Sequence, residues 1–142
     1  MRRITNSPIF RWPVRVYYED TDAGGVVYHA NYLLFMERAR TEWLRALGFE
    51  QDALRRDAGV QFSVRRAAIE YLRPALFNDV LTVTVALVGQ GGASLELAQE
   101  VVRDSDSVVC CRGSFQVACV DALTLGPARI PKQLLAEIAH GR

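Results

Sequence analysis

The residues best equipped for chemistry lie in Tyr17-Tyr18-Glu19-Asp20-Thr21-Asp22-Ala23-Gly24-Gly25-Val26-Val27-Tyr28-His29-Ala30-Asn31-Tyr32, a carboxylate- and glycine-rich turn joining a strand-like stretch to a helix-like one. Asp22 and His29 bracket Gly24 and Gly25, where a backbone without Cβ atoms can come close to a ligand. The helix that follows offers unpaired N–H groups and the positive end of its dipole. One carboxylate and a set of backbone donors are therefore aimed at one small volume. On these residues alone, an Asx turn in which Asp22 satisfies its own loop is the simpler account.

The elements that must position this turn can be read from periodicity. Pro13-Val14-Arg15-Val16-Tyr17-Tyr18 reads as a strand, with β-branched and aromatic residues following a proline. From His29 to Leu47 the apolar positions Tyr32, Phe35, Met36, Ala39, Trp43, Ala46 and Leu47 recur at three and four, which predicts one long helix with Gly48 as its C′ stop. Its first turns, Tyr32-Leu33-Leu34-Phe35-Met36, are apolar nearly all round, as in a helix enclosed by a sheet. Glu50 to Ala58 reads as a short surface helix. Val60 to Arg73, Val80 to Val88, Ala93 to Arg103 and Val108 to Leu123 read as strands. The turns Gly89-Gln90-Gly91-Gly92 and Asp104-Ser105-Asp106-Ser107 join them. Pro131 to His140 reads as a last short helix. Strand, long helix and four antiparallel strands make an α+β domain, and periodicity alone also permits a cystatin-like arrangement.

With 142 residues the chain is expected to form a single domain, with residues 1–12 an N-terminal extension and residues 131–142 a C-terminal helical tail. A net charge of +1 supplies no field for nucleic acid. Sixteen arginines against the single Lys132 point to a codon-composition bias, so no single arginine is a strong clue. There is no signal-peptide h-region and no apolar run long enough to span a bilayer. Cys110, Cys111 and Cys119 lack disulfide or zinc spacing and read as reduced thiols in a cytoplasmic protein. His29 and His140 are far apart, which predicts a metal-independent protein. The GxSxG, GxxxxGK[ST] and HExxH patterns are absent, and a calcium-loop reading of Asp20 to Asn31 lacks the fifth-position ligand and the final glutamate.

Asp20-Thr21-Asp22-Ala23-Gly24-Gly25-Val26-Val27-Tyr28-His29-Ala30-Asn31-Tyr32 resembles the signature of the hot-dog-fold acyl-CoA thioesterases of the 4-hydroxybenzoyl-CoA thioesterase type, and within them the Tol-Pal-associated group. The similarity continues through Glu37-Arg38-Ala39-Arg40-Thr41-Glu42 and Tyr71-Leu72-Arg73-Pro74-Ala75 with Asp79-Val80-Leu81. It implies a hot dog fold, one long central helix wrapped by a curved five-stranded antiparallel sheet, assembled as a homodimer or homotetramer. It further implies a cofactor-free cytoplasmic hydrolase of short-chain or aromatic acyl-CoA. Thioesters on an acyl carrier protein, or a non-catalytic adaptor at the Tol-Pal envelope system, are the alternatives.

Within that resemblance Asp22 is the expected nucleophile or general base. A carboxylate can attack the thioester carbon to form a mixed anhydride, or deprotonate a water. The leaving thiol, with a pKa near about 8.5, departs with little protonation, so the other need is an oxyanion donor. The resemblance assigns that to the amide N–H of His29 and gives catalytic roles to the His29 imidazole and the Tyr18 hydroxyl, with helix capping and core packing as their ordinary alternatives. Gly24, Gly25 and Asn31 are the expected substrate-binding positions, and Asn31 also suits a helix cap. Asp20 and Glu19 are expected to hold the turn, and Glu42 to be solvated or ion-paired. Arg65, Arg66, Arg73 and Arg112 are the candidates for the coenzyme A phosphates.

Overall fold

Leu81, Val83, Val85 and Leu87 alternate with Thr82, Thr84 and Ala86, and this alternation becomes strand β4 (Val80–Gln90), whose aliphatic positions are buried while the intervening ones stay half-exposed. The structure, a computed structural model, describes residues 2–5 and 7–139. The remaining strands are β1 (Arg2–Arg3), β2 (Phe10–Arg15), β3 (Val60–Tyr71), β5 (Ser94–Arg103) and β6 (Val108–Asp121). They form one antiparallel sheet in the order β1-β4-β5-β6-β3, with β2 also pairing β4. Register shifts at Val64/Arg66, Leu87/Gly89 and Val101/Val102 mark bulges that bend and twist the strands.

The sheet has six strands rather than the expected five. Arg2 and Arg3 pair with Gln90 and Gly89, and a two-residue strand has no alternation to read. That pairing also extends β4 through Gly89 and Gln90, which were expected in a turn. Strand β2 begins at Phe10, upstream of Pro13, because an edge strand tolerates a residue without an N–H. Parts of residues 2–12 are thus woven into the sheet.

Helix α1 (Asn31–Ala46) lays Tyr32, Phe35, Met36, Ala39, Trp43 and Leu44 into the core. Phe35 and Met36 are fully buried, each such burial contributing about 1.5–3 kcal/mol. Gly48 follows with φ +95°, the left-handed stop that its C′ position demands. Leu33 and Leu34 remain 38% and 46% exposed, so the sheet encloses one side of this apolar turn and leaves the other open. Close approach of helix to sheet depends on Gly113 of β6. A Cβ there would lie 2.8 Å from Phe115, 2.9 Å from Met36 and 3.1 Å from Ile69.

Between α1 and β3, helix α2 (Gln51–Ala53) runs on into a π-helical turn, Leu54–Ala58. Helix α3 (Lys132–Ala139) buries Leu134 against the core, and the expected helix end at His140 lies outside the described residues. No helix among the described residues is long and apolar enough to cross a membrane.

Candidate active site

Asp22 sits on a tight reversal. Its N–H donates to Val26 O at 2.9 Å, Gly25 N–H donates to Asp22 O at 3.0 Å, and Gly25 takes φ +80°, a conformation that favours glycine. Thr21 bridges Val27 across the reversal, Val26 bridges Leu76, and Val27 N–H donates to Ala75 O at 2.9 Å. The loop is therefore stitched to the segment that follows β3.

Asp20 fastens the other side. It is 7% exposed, and its two carboxylate oxygens accept Tyr17 N–H at 2.8 Å and the Asn31 side-chain amide at 2.9 Å. Its carbonyl accepts Tyr28 N–H at 2.8 Å. Asn31, the first residue of α1, spends its amide on this bond and does not cap its own helix; the cap position is Ala30, with no side-chain bond.

These fastenings bring Asp22 and His29 to one cavity of about 330 Å³, walled also by Val26, Val27, Tyr32 and Tyr71 to Pro74. Asp22 Oδ1 accepts Gly24 N–H at 2.8 Å, a charge-assisted bond, and Oδ2 holds no hydrogen bond among the described residues. The backbone N–H of His29, just ahead of α1, also has no acceptor among the described residues. His29 precedes the N-terminal end of α1, where the helix dipole is positive. The His29 ring lies 4.6 Å from the Tyr28 ring and 6.1 Å, edge-on, from that of Tyr71. No hydrogen bond joins it to Asp22 among the described residues.

Tyr18 is elsewhere. It belongs to a 3-10 turn, Tyr18–Asp20, is 79% exposed, and packs its ring 4.9 Å from that of Phe77. Gly24 and Gly25 shape the loop, with Gly24 N–H on the carboxylate. Glu42 forms an ion pair with Arg45. Of the four candidate arginines, Arg73 lines the Asp22 cavity, Arg112 pairs with Glu100, and Arg65 and Arg66 lie exposed on β3.

Two tyrosines that residue chemistry did not single out complete the wall. Tyr32 is 4% exposed and its hydroxyl oxygen accepts Ala75 N–H at 3.1 Å; burial, the largest influence, raises its phenol above the usual range and keeps it protonated. Tyr71 donates from its hydroxyl to His29 O at 3.2 Å. Tyr71-Leu72-Arg73-Pro74 was legible as part of the family-like pattern, without a sign that it faces Asp22.

A carboxylate and an unengaged backbone N–H on two residues that line one cavity are the groups that can supply a nucleophile or base and an oxyanion donor. Comparison with known proteins points to thioester hydrolysis. The family model described as the thioesterase-like superfamily matches residues 16–138. The acyl-CoA thioester hydrolase YbgC of Escherichia coli O6:H1 is 46% identical over 132 residues, spanning 93% of this chain and 97% of the relative. The acyl-CoA thioesterase YbgC of Haemophilus influenzae is 44% identical over 131 residues, spanning 92% and 95%. A crystal structure of a probable thioesterase from Bartonella henselae matches with a TM-score of 0.80 at 32% identity, covering 87% of this chain and 99% of that one. With its central helix laid on a bent antiparallel sheet, the chain belongs to the thioesterase-like superfamily and has its hot dog fold.

Proposed function

We propose that this chain hydrolyses short-chain or aromatic acyl-CoA thioesters to the free acid and coenzyme A, acting in the cytoplasm without a cofactor. The observation that carries the reading is the cavity that Asp22 and His29 both line, Asp22 Oδ2 and the His29 N–H being unengaged. The names of the relatives at 46% and 44% identity support the substrate class.

In this mechanism the thioester carbonyl oxygen accepts the His29 N–H while Asp22 attacks the carbon or deprotonates a water that does. Electrons collapse back and the C–S bond breaks, expelling a thiolate; on the nucleophilic route water then hydrolyses the Asp22 anhydride, releasing the acid and restoring the carboxylate, and on the general-base route the proton taken by Asp22 passes to the thiolate or to solvent. The Gly24 N–H on Asp22 Oδ1 holds the carboxylate plane without occupying Oδ2. Arg73, which lines the cavity, is the candidate for an anionic part of coenzyme A.

The working unit is a homodimer or homotetramer. Strand β3 is a twelve-residue sheet edge whose middle is exposed, and Leu33 and Leu34 leave an apolar strip on α1. A second copy would cover both.

A panel of acyl-CoAs graded in length and aromaticity, assayed by thiol release, tests the reading. Turnover well above background on short or aromatic members is expected. Background rates on every member, together with tight coenzyme A binding, would favour an adaptor instead. Turnover confined to acyl carrier protein thioesters would move the substrate assignment.

A further inference from the structure

Pro74, on the wall of the Asp22 cavity, has no N–H, so among its backbone polar groups only the carbonyl can be held. The group that holds it comes from far along the chain. Arg103, at the end of β5, donates from Nη1 to Pro74 O at 3.0 Å, and Pro74 O has no other hydrogen bond among the described residues. The backbone of Arg103 is fixed between two strands, paired with Leu81 of β4 and Val108 of β6, and its carbonyl accepts Ser107 N–H at 2.8 Å. Its guanidinium is fixed as well. Asp106, in the turn between β5 and β6, accepts Nε on Oδ1 at 3.0 Å and Nη2 on Oδ2 at 2.9 Å. This hydrogen bonding, the largest influence, holds the Asp106 carboxyl below the usual carboxylate range. The fork leaves Nη1 for Pro74.

From Pro74 the hold passes to the catalytic loop. Ala75 N–H donates to the Tyr32 hydroxyl oxygen at 3.1 Å, Ala75 O accepts Val27 N–H at 2.9 Å, Leu76 bridges Val26, and Val26 O accepts Asp22 N–H at 2.9 Å. Just upstream, Leu72 and Arg73 both donate their N–H groups to Cys110 O, at 2.9 and 3.1 Å. Downstream, Leu76 N–H donates to Asp79 Oδ2 at 2.8 Å, and that oxygen lies 3.9 Å from Arg103 Nη1. The side chains of Arg103 and Asp106 are 19% and 45% exposed, and an ion pair so near the surface adds little stability by itself. Its consequence is placement.

We propose that Arg103, braced by Asp106, is a positioning residue for the hydrolysis, fixing residues 72–76 on the sheet and through them the place of Asp22 in its cavity. The catalytic half of this inference rests on the hydrolysis proposed above; the hold on residues 72–76 does not.

Steady-state thioester hydrolysis measured well below the melting temperature, together with hydrogen–deuterium exchange at the Val27 amide, tests it on the intact protein. Arg103→Met keeps the aliphatic stem and removes the guanidinium. Its kcat falls by about tenfold or more, as expected for a displaced reacting group, while KM stays within about twofold. Exchange at Val27 N–H, whose acceptor is Ala75 O, speeds up by about tenfold, the scale of one weakened hydrogen bond. Asp106→Ala moves both readouts in the same direction by less. Thr82→Val is the control, because it removes the hydroxyl that donates to Asp104 Oδ1 at 2.6 Å in the same turn without touching Arg103. It leaves kcat and Val27 exchange unchanged, whatever it does to the melting temperature. Unchanged kcat and exchange in a folded Arg103→Met, or in Asp106→Ala if Arg103→Met does not fold, would overturn the proposal, as would a loss carried by KM alone or equal losses in Thr82→Val. Absence of turnover in the unmutated protein would overturn the hydrolysis and the catalytic half with it, and the exchange measurement would still decide the hold on residues 72–76.

Discussion

The Asn31 side-chain amide donates to Asp20 Oδ1 across 2.9 Å, so the first residue of α1 holds the loop on which Asp22 rides. Asn31→Ala leaves one oxygen of a nearly buried carboxylate without that partner. A loss of about 1–3 kcal/mol is expected, lowering the melting temperature by several degrees. Measured well below that temperature, kcat should fall through misplacement of Asp22. An unchanged melting curve would contradict the fastening role.

Asp20→Asn should act by the same route. The buried carboxylate accepts on both oxygens, from Tyr17 N–H and Asn31. An amide offers one oxygen and confronts the other donor with its own N–H groups. Thermal denaturation should show a lower midpoint, and the activity loss should track it. A catalytic defect at an unchanged midpoint would instead give Asp20 a chemical role.

Gly113→Ala probes how closely α1 can lie on the sheet. The added methyl meets Phe115, Met36 and Ile69 at 2.8–3.1 Å, so the fully buried Met36, the buried Phe115 and the half-buried Ile69 must shift to admit it. Overpacking of this kind costs about 1–3 kcal/mol. Denaturant unfolding should report a lower midpoint at an unchanged slope; equal midpoints would mean that the helix has room to spare.

The three thiols should be inert in the folded protein. Cys110, Cys111 and Cys119 are buried, and desolvation raises all three, Cys111 to about 11. At pH 8 the Cys111 thiolate fraction is on the order of 10⁻³, since the thiolate is the reactive form. The sign for stability follows: the folded state resists ionisation, so this contribution is complete below the unfolded thiol value of about 8.5 and is lost as pH rises toward 11. Iodoacetamide at pH 8 should label unfolded protein and spare the native one. Rapid native labelling with loss of activity would refute the burial.

Much of the architecture was legible because β4 and α1 obey their periods without interruption. Leu81 to Leu87 alternate cleanly, and Tyr32, Phe35, Met36, Ala39 and Trp43 share one helical face. Strand β1 was invisible because two residues carry no period, and the start of β2 was hidden by reading Pro13 as a boundary. At the candidate site, the turn around Asp22 was readable from its glycines and carboxylates. The roles of Tyr32 and Tyr71 were not, because their contacts, Ala75 N–H and His29 O, are 43 and 42 residues away in the chain. Tyr18 was expected at the site from the resemblance, with core packing as the alternative, whereas the 3-10 turn leaves it exposed with its ring against Phe77.

The central claim is that Asp22 carries the reaction, and the most direct measurement is the turnover of Asp22→Asn on the best acyl-CoA of the panel. The asparagine removes the negative charge without opening a cavity, and its oxygen can still accept the Gly24 N–H that now holds Oδ1. The melting temperature and substrate affinity should therefore stay close to those of the unmutated protein. Turnover should fall by roughly 10²-fold or more, the scale of losing a general base. Hydrolysis by Asp22→Asn at the unmutated rate would contradict the account.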